Sequence, residues 1–544
     1  MNDSPCTDTR DATADRRPSA AGADRAPASR PVGGTTGKAR PSLMARARNV
    51  TWLGHPARRP LWLTLLTVLA LGACSGARTA GADRAADARP TLASVGFNLD
   101  HLDFLGEDVI ADGDTVRIIH IYAEPGPEGW VFVGDDDEGI ACVDDVARAA
   151  VVYLRHYETT GDDASRRTAV KLLRFVRHLQ AESGLFYNFV WDRDLRINTE
   201  HLNSIADGVN WWTARAVWAL GEGARVLAVS DPAEAAAAQA AVRRVEPHLD
   251  RLLARYGEMA DERGRPFPQW VLRSQNGEPA PDATSELLLG LTALQRAAPT
   301  DAGTRRVRQL ADGIARTRFG GLDAFPYGGH ASWIGGWHGW GNSQTQALAG
   351  AHDLAPAALA SARAEADTFY PRLLVDGWLH NLDYATQEAQ RFEQIAYDVR
   401  PAAVGLVRLH DATGEDRYAV LAGLAAAWFS GSNPAGAVMA DPATGRGYDG
   451  ILGPDRINPN AGAESTIEAQ FTLLEVGRNA LAAAWADARA GDAETRTWNG
   501  RAVRTRTFTQ PTGERAVVVL DPSADRTHVL WGDAADRLLA SPAP

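Results

Sequence analysis

Residues 144–157 read Asp-Asp-Val-Ala-Arg-Ala-Ala-Val-Val-Tyr-Leu-Arg-His-Tyr, an acidic start that runs directly into a helix of small and apolar residues. The same pattern, a polar loop followed by about four turns of helical periodicity, returns five more times along the chain. The six helices begin near Asp144, Asn210, Asp282, Gly341, Asp398 and Gly462. Their starts are 57 to 72 residues apart, which leaves room for one further helix in each unit. The sequence therefore predicts six helical hairpins in series.

The segments between these helices fit the second helix of five of the hairpins. Most of them are more charged than the first helices, as is typical of solvent-facing helices. They span residues 164–181, 232–256, 304–317, 356–370 and 417–429. We therefore predict an all-α fold, an (α/α)6 toroid whose six inner helices form a closed ring and whose loops line one funnel. An open solenoid of the same hairpins is the alternative.

Short β-rich segments flank the helical region. Residues 115–122 alternate apolar and polar side chains upstream of it, and three further strand patterns follow it at residues 502–509, 515–520 and 527–531. The predicted organisation is a β-rich lead-in over residues 95–139, the toroid over 140–490 and a small β-rich segment over 491–544.

The composition bounds the kind of protein. The chain has 544 residues, 45% of them hydrophobic, which is enough for one large or several ordinary domains. Its 56 basic and 68 acidic residues give a formal net charge of −12, whereas a nucleic-acid-binding surface needs a basic stripe. We expect no nucleic-acid partner. Three cysteines, Cys6, Cys74 and Cys142, are too few for a disulfide framework or a zinc site, and we predict no metal ion and no cofactor.

The N-terminal region has the features of a targeting segment. Residues 1–43 are rich in Ala, Arg, Asp, Pro and Ser, which predicts a disordered segment or a mis-assigned start, with translation beginning at Met44. After Met44, a basic flank precedes the apolar run 61–71, which is short for a membrane span of about 20 residues and is typical of a signal peptide. The sequence Leu71-Gly72-Ala73-Cys74 resembles the lipobox of bacterial lipoproteins.

This resemblance implies a lipid-anchored protein of the cell envelope. We predict a lipoprotein signal peptide over residues 44–73, a lipid on Cys74 that attaches the chain to a membrane, and a flexible tether over residues 74–94. The folded part would face the periplasm or the exterior. An ordinary secretory cleavage site near a chance cysteine is the alternative. Without residues 1–73 the chain would keep 45 basic and 63 acidic residues, a net charge of −18.

Carboxylates concentrate where the first and last inner helices begin. Six of them lie within residues 135–145. Helix capping explains one of these, but six would repel one another unless they face a ligand, a cation or an arginine such as Arg148. At the last helix, Glu464 follows a Gly-Ala pair, and Glu468 lies one turn further along. Other candidates for substrate binding near the funnel mouth are Asp137, Glu138, Asp207, Asp398, Asp449 and Asn460.

Tryptophans cluster in the loops that precede the inner helices. Trp211 and Trp212 open the second one, and a Gly-rich loop carries His338 together with Trp333, Trp337 and Trp340. A tryptophan presents a flat apolar face with a hydrogen-bonding edge, which suits the faces of pyranose rings. A single tryptophan is more often part of a core. Three within eight residues are hard to bury together, so we predict that this loop contacts a carbohydrate substrate.

Paired carboxylates beside stacking aromatic side chains are what glycoside hydrolysis requires. One carboxyl group protonates the leaving oxygen, and the other acts as base or nucleophile at the anomeric carbon. Other chemistries find less support, because the sequence contains no GxSxG, P-loop, HExxH or CxxC motif.

Four strings place the chain near a known family. EGIACVDDVARAA at 138–150, GLFYNF at 184–189, DPATGRGYDG at 441–450 and NPNAGAESTIEA at 458–469 resemble a bacterial branch of the six-hairpin (α/α)6 glycosidase superfamily. The resemblance implies catalytic carboxylates at the starts of the first and last inner helices, where this chain has Asp144, Asp145 and Glu464. On this basis we predict a glycoside hydrolase for an oligo- or polysaccharide, with Glu464 as general acid and Asp145 as base.

Two alternatives to a hydrolase stay open. A polysaccharide lyase or sugar epimerase on the same toroid would use a Tyr or His base and an Arg or Asn that neutralises a uronate. His330, His338 and Tyr327 are available as bases, and Arg215 is available as the arginine. A non-catalytic glycan-binding lipoprotein would keep the aromatic contacts and use the carboxylates only as hydrogen-bond acceptors.

Overall fold

The computed structural model describes residues 92–127 and 129–540. The predicted signal peptide, the lipidated Cys74 and nearly all of the predicted tether lie outside these residues. Within them, six helical hairpins form a ring between residues 143 and 485. The predicted (α/α)6 toroid with small β-rich additions is confirmed, and the open solenoid is excluded because the last inner helix packs against the first.

A short lead-in precedes the ring. It consists of the 3-10 helix Leu92–Val95, α1 Asp100–Leu105, β1 Gly106–Ala111, β2 Asp114–Ile119, β3 Tyr122–Gly126, β4 Gly129–Val133 and β5 Ala141–Cys142. Strands β1 and β2 form one antiparallel hairpin, and β3 and β4 form another. The backbone N–H groups of Ala461 and Ala463 donate to the carbonyls of Ala123 and Ile121, which fixes the lead-in beside the start of the last inner helix.

Each hairpin pairs an inner helix with an outer one. The pairs are α2 Val143–Thr160 with α3 Asp163–His178, α4 Trp211–Val226 with α5 Pro232–Leu253, α6 Pro281–Ala297 with α7 Asp301–Ala315, α8 Gln344–Gly350 with α9 Leu359–Asp376, α10 Ala396–Thr413 with α11 Asp416–Ala426, and α12 Ala463–Gly477 with α13 Ala480–Trp485. Each inner helix packs against the next, and α12 packs against α2. The largest difference from a predicted start is at α8, where we predicted Gly341 and the helix begins at Gln344.

Short strands stiffen the loops between the hairpins. They are β6 Phe189–Val190, β7 Met259–Glu262, β8 Arg265–Pro268, β9 Gly336–His338, β10 Asn381–Asp383, β11 Ala389–Gln390, β12 Gln394–Ile395, β13 Gly450–Gly453 and β14 Arg456–Asn458. Strand β9 pairs with β10, and β12 pairs with β13, so loops that belong to different hairpins are joined by backbone hydrogen bonds. This pairing holds the loops at the starts of the inner helices in fixed positions.

A four-stranded antiparallel sheet follows the ring. Its strands are β15 Arg489–Trp498, β16 Arg501–Thr509, β17 Arg515–Asp521 and β18 Arg526–Trp531, and α14 Asp533–Leu539 comes after them. The sheet packs on α9, where the Thr527 hydroxyl donates to the Asp367 carbonyl over 2.7 Å. Strand β15 was not predicted from the sequence, because its side chains are mostly exposed and lack an apolar alternation.

Helices α4 and α6 approach each other closely at two glycines. A Cβ atom on Gly290 would lie 2.3 Å from the Val217 carbonyl oxygen, and one on Gly221 would lie 2.1 Å from the Gly290 carbonyl oxygen. We expect Gly290→Ala to lower the free energy of unfolding by about 2 kcal/mol, because the two helices must separate. Urea denaturation measures this change. Gly350→Ala is the control, because a Cβ there meets no atom within 4 Å, and equal effects of the two substitutions would contradict the account.

No helix in the part of the chain that the structure describes is long and apolar enough to cross a membrane.

Candidate active site

The starts of neighbouring inner helices line one cleft. It encloses about 710 Å³, part of it open to solvent, between α2, α4, α6 and the loop before α8. Polar side chains in its wall include Asp144, Asn188, Asn210, Asp282 and His338, and Trp211, Trp333 and Trp340 contribute aromatic faces. The cleft is therefore the mouth of the predicted funnel on the side of the first four hairpins.

Three buried arginines lie between this cleft and the apolar centre of the ring. The guanidinium carbons of Arg148, Arg215 and Arg400 are 4.9, 5.3 and 5.0 Å from the centroid of the Tyr397 ring. Arg215 also stacks on Trp211 in the cleft wall, at 4.9 Å. We call these three residues the arginine layer.

Five carboxyl groups surround the arginine layer. Arg148 donates to Asp145 and Glu468 over 2.7 Å each and to Glu464 over 3.2 Å. Arg400 donates to the second oxygen of Glu468. The remaining two carboxylates pair at the edges of the layer, with Asp144 Oδ1 3.1 Å from Arg215 Nη1 and Glu286 Oε1 3.5 Å from Arg400 Nη2. Three cations for five acids leave a negative surplus if every carboxyl group is ionised.

The excess of negative charge around the arginine layer acts on the carboxyl group of Glu464. Burial raises its pKa to about 8, the repulsion of Asp145 and Glu468 acts in the same direction, and Arg148 opposes them. Its side chain keeps 12% exposure, more than the other carboxylates bound to Arg148. Glu464 therefore carries a proton at neutral pH. It is not among the residues that line the cleft, and Arg148 joins it to the first inner helix, on which Asp144 lies.

Asp144 lies at the first helix start and faces the cleft. Its Oδ2 accepts a hydrogen bond of 3.3 Å from the Asn188 side chain, and its backbone N–H donates to Asn188 Oδ1 over 3.1 Å. Its Oδ1 has the Arg215 ion pair but no hydrogen bond from any described residue. Asp144 therefore has a fixed orientation and an oxygen that can accept a hydrogen bond from a ligand.

Asp145 does not reach the cleft. Its side chain is 0% exposed, Oδ1 is held by Arg148, and Oδ2 accepts from the Cys142 thiol over 3.2 Å. Burial raises its pKa, although Arg148 opposes this. The structure thus gives Asp145 no path to a substrate, and of the two neighbouring aspartates Asp144 is the one placed to act as base.

A second set of ionisable groups surrounds Trp340. His338 Nε2 lies 2.9 Å from Asp282 Oδ2, and its ring stacks on Trp340 at 3.8 Å. On the other side, His380 stacks on Trp340 at 4.6 Å, and its Nδ1 lies 3.2 Å from Asp398 Oδ2. Burial disfavours the imidazolium form of His380, but Asp398 outweighs it and raises the pKa of His380. His338 Nδ1 has no partner among the described residues.

Of the tryptophans predicted to contact substrate, some line the cleft and one lies in the core. Trp333 and Trp340 line the cleft, as do Trp211 and Trp212, although Trp212 is nearly buried and its indole N–H donates to the Phe186 carbonyl over 2.7 Å. Trp337 does not. It lies on β9, where side chains alternate, so it points away from His338 and packs on Phe369 at 4.8 Å. Of the three tryptophans of this loop, Trp337 is therefore the one that lies in the core and not in the cleft wall.

The remaining predicted site residues lie outside the cleft wall. Glu138 accepts a hydrogen bond of 2.7 Å from the Tyr122 hydroxyl, and burial raises its pKa to about 7. Asp449 accepts one from Ser465, also over 2.7 Å, and the Asn460 carbonyl holds the Asp449 backbone N–H. Asp398 is buried against His380. Asp137 and Asp207 are exposed and touch none of these groups.

The bases proposed for a lyase or epimerase do not lie together in the cleft. His330 is buried and held by Glu365 and Ser361, each at 2.8 Å, which is a structural role away from the cleft. Tyr327 lies under Arg372, at 3.9 Å. His338 alone of the predicted bases reaches the cleft wall.

The described residues contain no group of three His, Cys, Asp or Glu side chains placed to hold a metal ion.

Several residues of the site were missed in the sequence. Arg400, Tyr397 and His380 complete the arginine layer and the Trp340 stack, and Asn188 orients Asp144. A usable signal existed for the arginines, because each lies in the second turn of an inner helix and is followed directly by small and apolar residues. A buried arginine in such a position needs carboxylate partners.

Comparisons with known proteins support the fold. No family model matches the sequence, and neither does any curated protein. Among solved structures, a sugar epimerase from a ruminal bacterium is 14% identical with a TM-score of 0.50, and the match covers 71% of this chain and 99% of that one. A cellobiose 2-epimerase from Bacillus thermoamylovorans is 14% identical, with 64% and 94% covered and a TM-score of 0.45. A GH family 9 endoglucanase is 15% identical, with 72% and 84% covered and a TM-score of 0.41. The first of these similarities shows a shared ring of helices.

Proposed function

We propose that the protein is a glycoside hydrolase in which Glu464 is the general acid and Asp144 the base or nucleophile. The observation that carries this proposal is the pair of different environments within one site. Burial and repulsion keep Glu464 protonated up to about pH 8, whereas Asp144 lies against the Arg215 guanidinium. Cleavage of a glycosidic bond requires one protonated carboxyl group and a second carboxyl group that acts as base or nucleophile.

The reaction uses these groups in sequence. A sugar ring packs against Trp333 in the cleft wall, and the glycosidic oxygen takes the proton of Glu464 as the bond to the anomeric carbon breaks. Asp144 either accepts a proton from the water that attacks the anomeric carbon, or bonds to that carbon itself. In the second case a water molecule that gives its proton to Glu464 then attacks the anomeric carbon and releases the sugar from Asp144. Arg215 holds the Asp144 carboxylate, and Arg148 stabilises the charge that Glu464 acquires when it loses its proton.

The proposal is tested by an activity screen of the protein on diverse oligosaccharides. We expect new reducing ends on at least one substrate, and NMR of the first anomer released gives the stereochemical course. Binding without turnover across the whole panel would contradict the proposal and favour a glycan-binding protein.

A second candidate is a sugar epimerase, isomerase or lyase that uses His338 as its base. The observation in its favour is the free Nδ1 of a histidine that lines the cleft and is oriented by Asp282. The chain also shares its ring fold with a solved structure named as a sugar epimerase. In deuterium oxide, an epimerase would add deuterium to a sugar of unchanged chain length, and a lyase would release an unsaturated product that absorbs ultraviolet light.

Trp333 and Trp337 provide a matched pair of substitutions. We expect Trp333→Ala to raise KM about tenfold with little change in stability, because Trp333 lies in the cleft wall. Trp337→Ala should lower the free energy of unfolding by about 3 kcal/mol, because its ring is buried against Phe369. Steady-state kinetics and urea denaturation of both variants separate the two roles. A stability loss for Trp333→Ala with unchanged KM would contradict the assignment.

We also propose export and lipid anchoring, which rest on the sequence of residues 44–74 alone. A basic flank, an apolar run and the Leu-Gly-Ala-Cys sequence support this proposal. Mass spectrometry of the membrane fraction should find Cys74 acylated and N-terminal, and Cys74→Ser should move the protein out of that fraction. A peptide from upstream of Met44 in the isolated protein would contradict the predicted start.

A further inference from the structure

One charged side chain in the cleft wall is not matched by an opposite charge. Asp144 faces Arg215, and Asp282 faces His338. Arg273 is the one arginine that lines the cleft, and no described carboxylate lies within 4.0 Å of its guanidinium. The arginine layer differs in this respect, because each of its members has at least one carboxylate partner.

The contacts of Arg273 go to neutral atoms. Its guanidinium donates to the Gly277 carbonyl and to the side-chain oxygen of Gln269. Arg255 donates to that same Gln269 oxygen over 3.3 Å, so two cations share one neutral acceptor. Burial and the nearby charge of Arg255 lower the pKa of Arg273, and they outweigh the opposing effect of Glu262, whose carboxylate accepts a hydrogen bond from the Gln269 amide over 3.3 Å. An anion bound at Arg273 would relieve both the desolvation and the repulsion.

Arg273 lies at the end of the cleft away from the acid and base. It belongs to the loop before α6, whereas Asp144 begins α2, and the start of α4 lies between them. Gln275 in the same loop donates to the Leu202 carbonyl over 2.8 Å, which ties the loops before α4 and α6 together. Asn203 and Ser274 add polar side chains to the wall there. This end is therefore placed to hold a neighbouring sugar unit.

We infer that this end of the cleft, through Arg273, binds a carboxylate or sulfate group carried by the sugar chain. A guanidinium can donate two parallel hydrogen bonds to a planar carboxylate, which gives both affinity and orientation. The inference rests on the proposed function for its catalytic meaning, but it can be tested through binding alone.

The test compares three probes, glucuronate, glucose 6-sulfate and glucose, by tryptophan fluorescence at fixed ionic strength. We expect the protein to bind one of the charged probes at least about fivefold more tightly than glucose, and the probe preferred identifies a carboxylate or a sulfate site. Arg273→Gln should abolish that preference. The control is Arg263→Gln, because Arg263 is exposed and already paired with Glu278 at 2.8 Å.

The outcomes separate this inference from the proposed function. If Glu464→Gln is inactive and keeps the preference for the charged probe, both the hydrolase proposal and the inferred site at Arg273 hold. If no oligosaccharide is cleaved but Arg273→Gln still removes the preference, the binding site holds and the hydrolase proposal fails. Absence of a preference in the wild-type protein, or its persistence in Arg273→Gln, would overturn the inference.

Discussion

Replacing Glu464 by Gln should lower kcat by about 10²–10⁴-fold on substrates whose leaving group is a sugar, because the glycosidic oxygen then leaves without a proton. A dinitrophenyl glycoside of the same sugar needs little acid assistance, so its cleavage should fall far less. In the wild-type protein, kcat should decline as the pH rises through about 8, where Glu464 loses its proton. Steady-state kinetics with both kinds of substrate measure these effects.

The control for this substitution is Glu182→Gln, which changes an exposed glutamate after α3 and should leave kcat unchanged. Stability gives a second readout. The folded state binds the Glu464 proton more tightly than the unfolded state, so its contribution to stability is complete below pH 4.5 and is lost between pH 4.5 and about 8. Glu464→Gln removes this loss, so its stability relative to the wild type should rise as the pH is raised from 4.5 to about 8. Unchanged turnover and unchanged stability would refute the role of Glu464.

Replacing Glu468 by Gln should lower the free energy of unfolding by about 3–5 kcal/mol. Glu468 is fully buried and accepts hydrogen bonds from both Arg148 and Arg400, so its loss leaves two buried guanidinium groups short of negative charge. Burial alone would raise the pKa of Glu468, but the two arginines outweigh it and lower the pKa. Glu468 therefore stabilises the folded state above pH 4.5. This stabilisation is lost as the pH falls through the lower pKa that Glu468 has in the folded state.

Urea denaturation at pH 7 measures the effect of Glu468→Gln. Glu494→Gln is the matched control, because Glu494 pairs with Arg496 on the exposed face of β15 and should contribute no more than about 1 kcal/mol. Equal losses in the two variants would show that the arginine layer is not the structural centre of the site.

The fold was predictable because its signal is local and repeated. Most of each inner helix is buried, so small and apolar residues recur along it, as in α10 from Val399 to Val407. Six such runs at similar spacing identify the hairpins without any knowledge of long-range contacts. Strand β15 lacked a comparable signal, since its stability comes from pairing with β16 and not from an apolar face.

The site was predictable only in part, because its contacts join residues that are far apart in sequence. Glu464 was identified by its place at a helix start, but its pKa depends on burial and on Arg148 and Asp145, which lie about 320 residues earlier on α2. Asp144 and Asp145 are adjacent, and only the three-dimensional structure shows that Asp144 faces the cleft while Asp145 is buried. The buried position of Trp337 was not predicted, because the short strand β9 was not anticipated, and its alternation turns one of the three tryptophans into the core.

The most direct test of the hydrolase is cleavage in water enriched in oxygen-18. Wild-type protein and Glu464→Gln are incubated with the oligosaccharide that the screen identifies, and the mass of each product is recorded at early times. We predict one oxygen-18 atom in the released reducing sugar, at the anomeric carbon, and a rate at least about 100-fold lower for Glu464→Gln. Products without the label, or equal rates for the two proteins, would contradict acid-assisted hydrolysis at this site.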